Sequence, residues 1–214
     1  MKEKEIIPEQ IISEKIVYKS TAFNVCERNV KLNNGKDFSR SIILEDDAVI
    51  IIPLFEDQSI RLIHEYRAAS QQWMIQLPAG GVKLNETQSI AAHRELAEEA
   101  GLFTGKLEKI GGYYSSPGTT TEFLHIFLAT ELENTKKGKL DIDEHIEHIT
   151  WDYSRCIKGI RNQEITDSKT IATILYAGLH CDLLKLKKQK NNMEVDYQNK
   201  GFSLNDIQEL KKQK

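Results

Sequence analysis

The chain has 214 residues, 40% of them apolar, enough to bury one ordinary core with additions at its ends. Its formal net charge of −3 supplies no general basic field, so bulk nucleic-acid binding is not expected, and no apolar run approaches the ~20 residues of a membrane span. The three cysteines, Cys26, Cys156 and Cys181, are too scattered for a disulfide framework or a zinc cluster, and the opening MKEKEIIPEQ lacks a signal-peptide core, so a cytoplasmic protein is expected.

Residues 14 to 45 alternate short strand-like runs, EKIVYKS, AFNVCERNVKL and FSRSIILE, broken by the turn sequence Asn33-Asn34-Gly35-Lys36. A small antiparallel sheet is predicted. DAVIIIPL, SIRLIHEY and QWMIQLP follow as strands, the first so continuously apolar that both its faces should be covered. From Glu86 to Ala100 the period becomes helical, with Thr87 placed as N-cap and Gly101 as the left-handed stop. EKIGGYY, TEFLHIFLAT and HIEHITW read as strands. Helices are predicted over about 153–162 and 168–187, the second with Ile171, Ile174, Leu175, Leu179 and Leu183 on its apolar side. KLKKQKNNMEVDYQNKG reads as a polar linker, and Ser203 to Gln213 as a short amphipathic helix. Trp73 and Trp151 are expected in the core or at an interface.

The chemistry concentrates in the segment Gly80 to Leu102. On a helix, Glu95 and Glu99 lie one turn apart on one face, and Glu98 stands close to that line. No lysine occupies the i+4 positions that would relieve their repulsion, so an external cation is implied, and carboxylate oxygens select magnesium (Mg2+), with manganese (Mn2+) as its substitute. Ala91 and Ala92 are read as flanking this stripe and leaving room for a diphosphate, with Ile90, Leu96, Ala97 and Ala100 turned to the core. Arg94 is placed to hold Glu86 in a forked ion pair, bracing the loop against the helix.

Gly80, Glu86, Arg94, Glu95, Leu96, Glu98, Glu99, Gly101 and Leu102 fit the pattern G-x5-E-x7-R-E-U-x-E-E-x-G-U, with U aliphatic, at every specified position. The segment resembles the Nudix box. The resemblance implies an α/β Nudix fold, a mixed β-sheet sandwiched between helices, preceded here by the small N-terminal antiparallel subdomain. It implies hydrolysis of a diphosphate by water, with Glu95 and Glu99 as principal metal ligands, Glu98 assisting, and Arg94 among the catalytic residues.

Outside the box, Glu65-Tyr66-Arg67, Gln76-Leu77-Pro78-Ala79-Gly80, the run Ser116-Pro117-Gly118 through Glu122, and Asp167-Ser-Lys169-Thr170 resemble segments of the ADP-ribose pyrophosphatase-like subgroup. That similarity implies that the carbonyl of Ala79 joins the metal ligands and that Arg67 grips the diphosphate. Gln76, Ser116, Pro117 and Gly118 join the substrate-binding set. It places the general base in a loop for which Glu144 is chosen here, with Asp141, Asp143 and Glu147 as neighbouring alternatives. Two positions depart from the subgroup: Gln76 stands where glutamate is usual, and Glu65 where glutamine often stands. ADP-ribose is the expected substrate, yielding AMP and ribose 5-phosphate; GDP-mannose or another nucleotide sugar is the alternative, and a nucleotide-sensing binding module a third. The resemblance also implies a homodimer formed through the N-terminal strands. The expected divisions are 1–46, the β subdomain; 47–187, the hydrolase domain; and 188–214, a lysine-rich tail.

Overall fold

A computed structural model of the chain describes residues 9–135 and 146–181. Strands β1 (Gln10–Lys19), β2 (Asn24–Lys31) and β3 (Asp37–Leu44) form an antiparallel sheet in that order. The chain reverses between β2 and β3 at Gly35, whose φ of 79° lies in the left-handed region that a residue without Cβ adopts freely. This sheet covers little of its own apolar surface. No residue of β1 is buried, and Ile11, Val17, Tyr18 and Phe38 are each about half exposed.

Strand β4 (Ala48–Pro53) is buried at all six positions, as its unbroken apolar run predicts. It is followed by β5 (Ser59–Arg67), β6 (Gln72–Gln76) and the three-residue β7 (Ala79–Gly81). Helix α1 (Gln88–Ala100) begins where Thr87 accepts the N–H of Ile90 and ends at Gly101, in the left-handed conformation at φ 63°. The chain then enters β8 (Leu102–Tyr114) directly and returns along β9 (Phe123–Asn134). Strand β8 is longer than the predicted 108–114. Its first half buries Leu102 and Thr104 on one side, an alternation that Gly105 and the lysines obscure in the sequence.

Two sheets result. One runs β7-β4-β9-β8 and is mixed, because β4 and β9 are parallel and its other pairs antiparallel. The other, antiparallel throughout, runs β10-β5-β6 with β10 at Ile146–Asp152. Helix α1 packs on the mixed sheet, its Ala91, Ala92, Leu96 and Ala100 forming one cluster with Val49, Ile51, Phe127 and Ala129.

This packing corrects the expected orientation of α1. Ala91 and Ala92 are fully buried and leave no space for a ligand, whereas Ile90 is 56% exposed. The buried arc also contains Glu95 and Glu99, so the acidic stripe adjoins the core instead of standing opposite to it.

Helices α2 (Tyr153–Arg161) and α3 (Ser168–His180) follow. Asp152 caps α2 through the N–H of Arg155, and Asp167 accepts the N–H of Thr170 at the start of α3. The face α3 buries carries Thr170, Thr173, Ile174 and Ala177; Leu175, expected inside, is exposed. Trp73 is half exposed and so is not a core residue. By its contacts the chain divides into a unit ending at Ala177, which holds every residue of the site, and a second beginning at Gly178. The predicted C-terminal linker and helix, with Leu183, lie outside the described residues.

Candidate active site

A cleft of about 420 Å³ opens between β7 with its following loop and the acidic side of α1. Arg67, Ala79, Gly80, Glu95, Glu98 and Glu99 line it together, so side chains drawn from three predicted segments meet in one cavity.

The loop is held by Arg94. Its Nε donates to Glu86 Oε1 at 2.9 Å and its Nη2 to Glu86 Oε2 at 3.0 Å, the predicted fork, while Nη2 also reaches the carbonyl of Gly81 at 2.9 Å. The same guanidinium then turns to the helix, where Nη1 bonds Glu95 and lies 3.2 Å from Glu98 Oε2. The acidic cluster therefore has an internal cation, contrary to the expectation drawn from the missing lysines. Those bonds hold the Glu86 carboxyl below its ordinary range and push the arginine's own value up. Glu95 moves the other way: burial raises it, against the pull of Arg94.

Gly80 explains itself by this contact. A Cβ at that position would overlap the Glu95 carboxylate, which lies against the backbone there. Glu99, 3% exposed, accepts the backbone N–H of Ala79 at 2.8 Å, joining β7 to the last turn of α1. His148 Nε2 lies 2.9 Å from the Glu99 carbonyl, and Arg61 Nη1 is 3.3 Å from that of Ala100, so two side chains of the antiparallel sheet satisfy the C-terminal carbonyls of the helix. His148 is thus placed as a helix-end partner.

As they lie, no three histidine, cysteine, aspartate or glutamate side chains among the described residues form a ready cluster for one ion. The reason is on hand: Glu95 and Glu98 are turned to Arg94, and Glu99 to the N–H of Ala79.

Arg67 enters the cleft from the end of β5. Its Nε donates to Gln76 Oε1 at 2.7 Å and its Nη2 lies 2.8 Å from Glu65 Oε2. Gln76 is buried and does not line the cleft; it touches the site through Arg67. Leu77 between them is fixed by its N–H to Thr170 Oγ1 at 2.9 Å, which ties the Leu-Pro-Ala-Gly turn to the first turn of α3.

Ser116, Pro117 and Gly118 form an exposed turn in which Ser116 O accepts the N–H groups of Thr119 and Thr120. They do not line the cleft, although Glu122 from the same run and Lys169 from the start of α3 do. Glu144, with Asp141 and Asp143, lies outside the described residues. Glu147 is described; it stands on β10 beside His64, 3.4 Å from Nδ1, away from the cleft lining. Lys83 lines the cleft too, and neither it nor Glu122 nor Lys169 is given a role by the sequence reading. Lys169 had a signal, its place in the Asp167-to-Thr170 run, and Lys83 had one inside the box.

The sequence pattern described as the NUDIX domain matches residues 45–153. An ADP-ribose pyrophosphatase of Bacillus subtilis (strain 168) is 33% identical over 180 residues, which cover 84% of this chain and 94% of that protein. The methanol dehydrogenase activator of Bacillus methanolicus is 29% identical over 178 residues, covering 83% and 93%. A solved structure, the crystal structure of an ADP compounds hydrolase, superposes with a TM-score of 0.73 at 20% identity over 81% of this chain and 94% of that one. At that identity the likeness is one of fold.

Proposed function

The chain belongs to the Nudix family, a family of hydrolases, and on that basis we propose that it cleaves the diphosphate of ADP-ribose to AMP and ribose 5-phosphate with the aid of a divalent cation. The observation that carries this reading is the single cleft lined by Glu95, Glu98 and Glu99 on one side and Arg67 on the other. Carboxylates suit a hard cation, and a guanidinium suits phosphate oxygens. The name of the Bacillus subtilis relative supports the choice of ADP-ribose, because the match runs nearly end to end in both proteins.

Glu95, Glu98, Glu99 and the carbonyl of Ala79 would hold the cation, for which we propose magnesium, with manganese able to replace it. Their all-oxygen chemistry fits such an ion, provided that Glu95 and Glu98 release Arg94. When bound, the cation neutralises the diphosphate oxygens and acidifies a water. The chain's own residues do the rest. Arg67 binds the diphosphate, Arg94 keeps loop and helix in register, and the exposed turn at Ser116, Pro117 and Gly118 contacts the substrate beside Glu122. Water oxygen attacks phosphorus, the bridging P–O bond breaks, and the water's proton passes to a carboxylate within residues 141–147, for which Glu144 is our choice.

We propose further that the protein is a cytoplasmic homodimer, with residues 1–46 as the dimerising subdomain, 47–187 as the hydrolase and 188–214 as a tail. The half-exposed Ile11, Val17, Tyr18 and Phe38 support a second copy covering that sheet.

A chromatographic assay with magnesium on ADP-ribose, GDP-mannose, NADH and 8-oxo-dGTP tests the substrate. Fastest release of AMP and ribose 5-phosphate from ADP-ribose, lost in Glu99→Gln, supports the reading. Faster cleavage of GDP-mannose overturns the substrate and keeps the chemistry.

A further inference from the structure

Glu65 and Gln76, one carboxylate and one amide, meet at one guanidinium. In the pairing of β5 with β6, Gln76 stands opposite Ile63 and Arg67 opposite Gln72, so residues 63, 65, 67 and 76 share one face of the sheet. Arg67 Nε bonds the Gln76 amide oxygen at 2.7 Å, and its Nη2 meets Glu65 Oε2 at 2.8 Å. Glu65 and Gln76 are 6% and 4% exposed, whereas Arg67 reaches the cleft.

We propose that Glu65 is a positioning residue for Arg67, and that Glu65 and Gln76 act as an exchangeable clasp whose requirement is one carboxylate and one amide. With two amides the half-exposed guanidinium would lack a counter-charge among its neighbours. With two carboxylates it would be over-neutralised, and the acids would repel each other and draw the arginine away from an anionic ligand. One of each balances the arginine and leaves its remaining donors for a phosphate. The carboxylate of this clasp comes from β5 at position 65 and the amide from β6 at position 76. Neither substitution is neutral alone, and the pair together preserves both the charge and the number of acceptors around Arg67.

This inference rests on the reading that Arg67 binds the substrate diphosphate. Four proteins test it: the wild type, Glu65→Gln, Gln76→Glu and the double exchange. Each is measured for KM and kcat on whichever nucleoside diphosphate compound the wild type cleaves, for binding of inorganic pyrophosphate with magnesium by calorimetry, and for Tm. Each single variant is expected to raise KM and the pyrophosphate Kd about tenfold while kcat changes less than about threefold. The double exchange is expected to recover most of that loss. If its effects equal the product of the single ones, or if the single variants bind as the wild type does, the clasp is overturned. If a single variant does not fold, a folded and binding double variant is the same rescue, and an unfolded one overturns the proposal. Failure of the wild type to cleave ADP-ribose refutes the substrate reading only, because the pyrophosphate cycle stands without it.

Discussion

Glu99 Oε2 accepts the backbone N–H of Ala79 at 2.8 Å, so the strand that enters the acidic loop and the helix that leaves it are joined at their far ends by one bond. The contact fixes a buried carboxylate within the lining of the cleft without using a side chain from β7. It also separates the two duties of Glu99, one structural and one chemical.

Replacing Glu99 with glutamine tests that separation. The amide oxygen still accepts from Ala79, so Tm should move by no more than a few degrees, while the charge needed for a cation is gone. Since a bound cation supplies several kcal/mol to such reactions, kcat/KM should fall at least about a hundredfold. A large loss of Tm would assign Glu99 to structure instead.

Gly80→Ala is expected to act on the same site from the other side. The new methyl meets the end of the flexible Glu95 side chain, which swings away, and Gly80 itself has no left-handed backbone to strain. Activity should drop by about tenfold or more as a ligand position is displaced, with little change in Tm. Unaltered kinetics would show that Glu95 has no fixed place in catalysis.

The ion pair of Glu86 with Arg94 sets a pH dependence. Because Arg94 lowers the folded-state value of Glu86 below 4.5, the stability it contributes is complete above that value and is lost as pH falls through the depressed one. Burial raises Glu95, whose contribution has the opposite sign, so the comparison must isolate Glu86. The Tm difference between wild type and Glu86→Gln should be largest near neutrality and shrink as pH falls from roughly 6 to 3. A difference constant over that range would count against the pair.

The N-terminal sheet makes a prediction in solution. Val17→Glu places a charge on the most exposed strand at a half-exposed position, so the chain should still fold. If a second copy covers that strand, sedimentation should show the wild type at twice the chain mass and the variant at one. A monomeric wild type would remove the dimer.

Much of this was legible because it is local. Thr87, Gly101 and the Glu86 to Arg94 spacing all act within one short segment, and the six-residue apolar run of β4 has one reasonable place, inside. The rotation of α1 was not legible. Its buried arc is centred between Ala92 and Glu99, and only the sheet beneath decides that Ile90 faces solvent and two glutamates do not. Strand β7 escaped because three residues, two of them glycines, carry no period. The contacts of Arg67 and the bond from Leu77 to Thr170 join positions on different elements, the latter 93 residues apart, where sequence spacing gives no distance. The direction of Arg94 toward Glu95 and Glu98 has its sign in the sequence, an arginine four residues before Glu98, but the same side chain is equally spaced to reach Glu86 in the loop.

That arginine gives the acidic cluster a counter-charge of its own, one shared among Glu86, Glu95 and Glu98. Its charge is covalently attached, so the polypeptide carries its own counter-ion from synthesis onward and need not capture one in order to fold. Loading with a cation is then a change of partners within an already folded chain, unlike small domains whose metal is their core. A chelator should silence the enzyme and leave it standing, ready to restart when the ion returns.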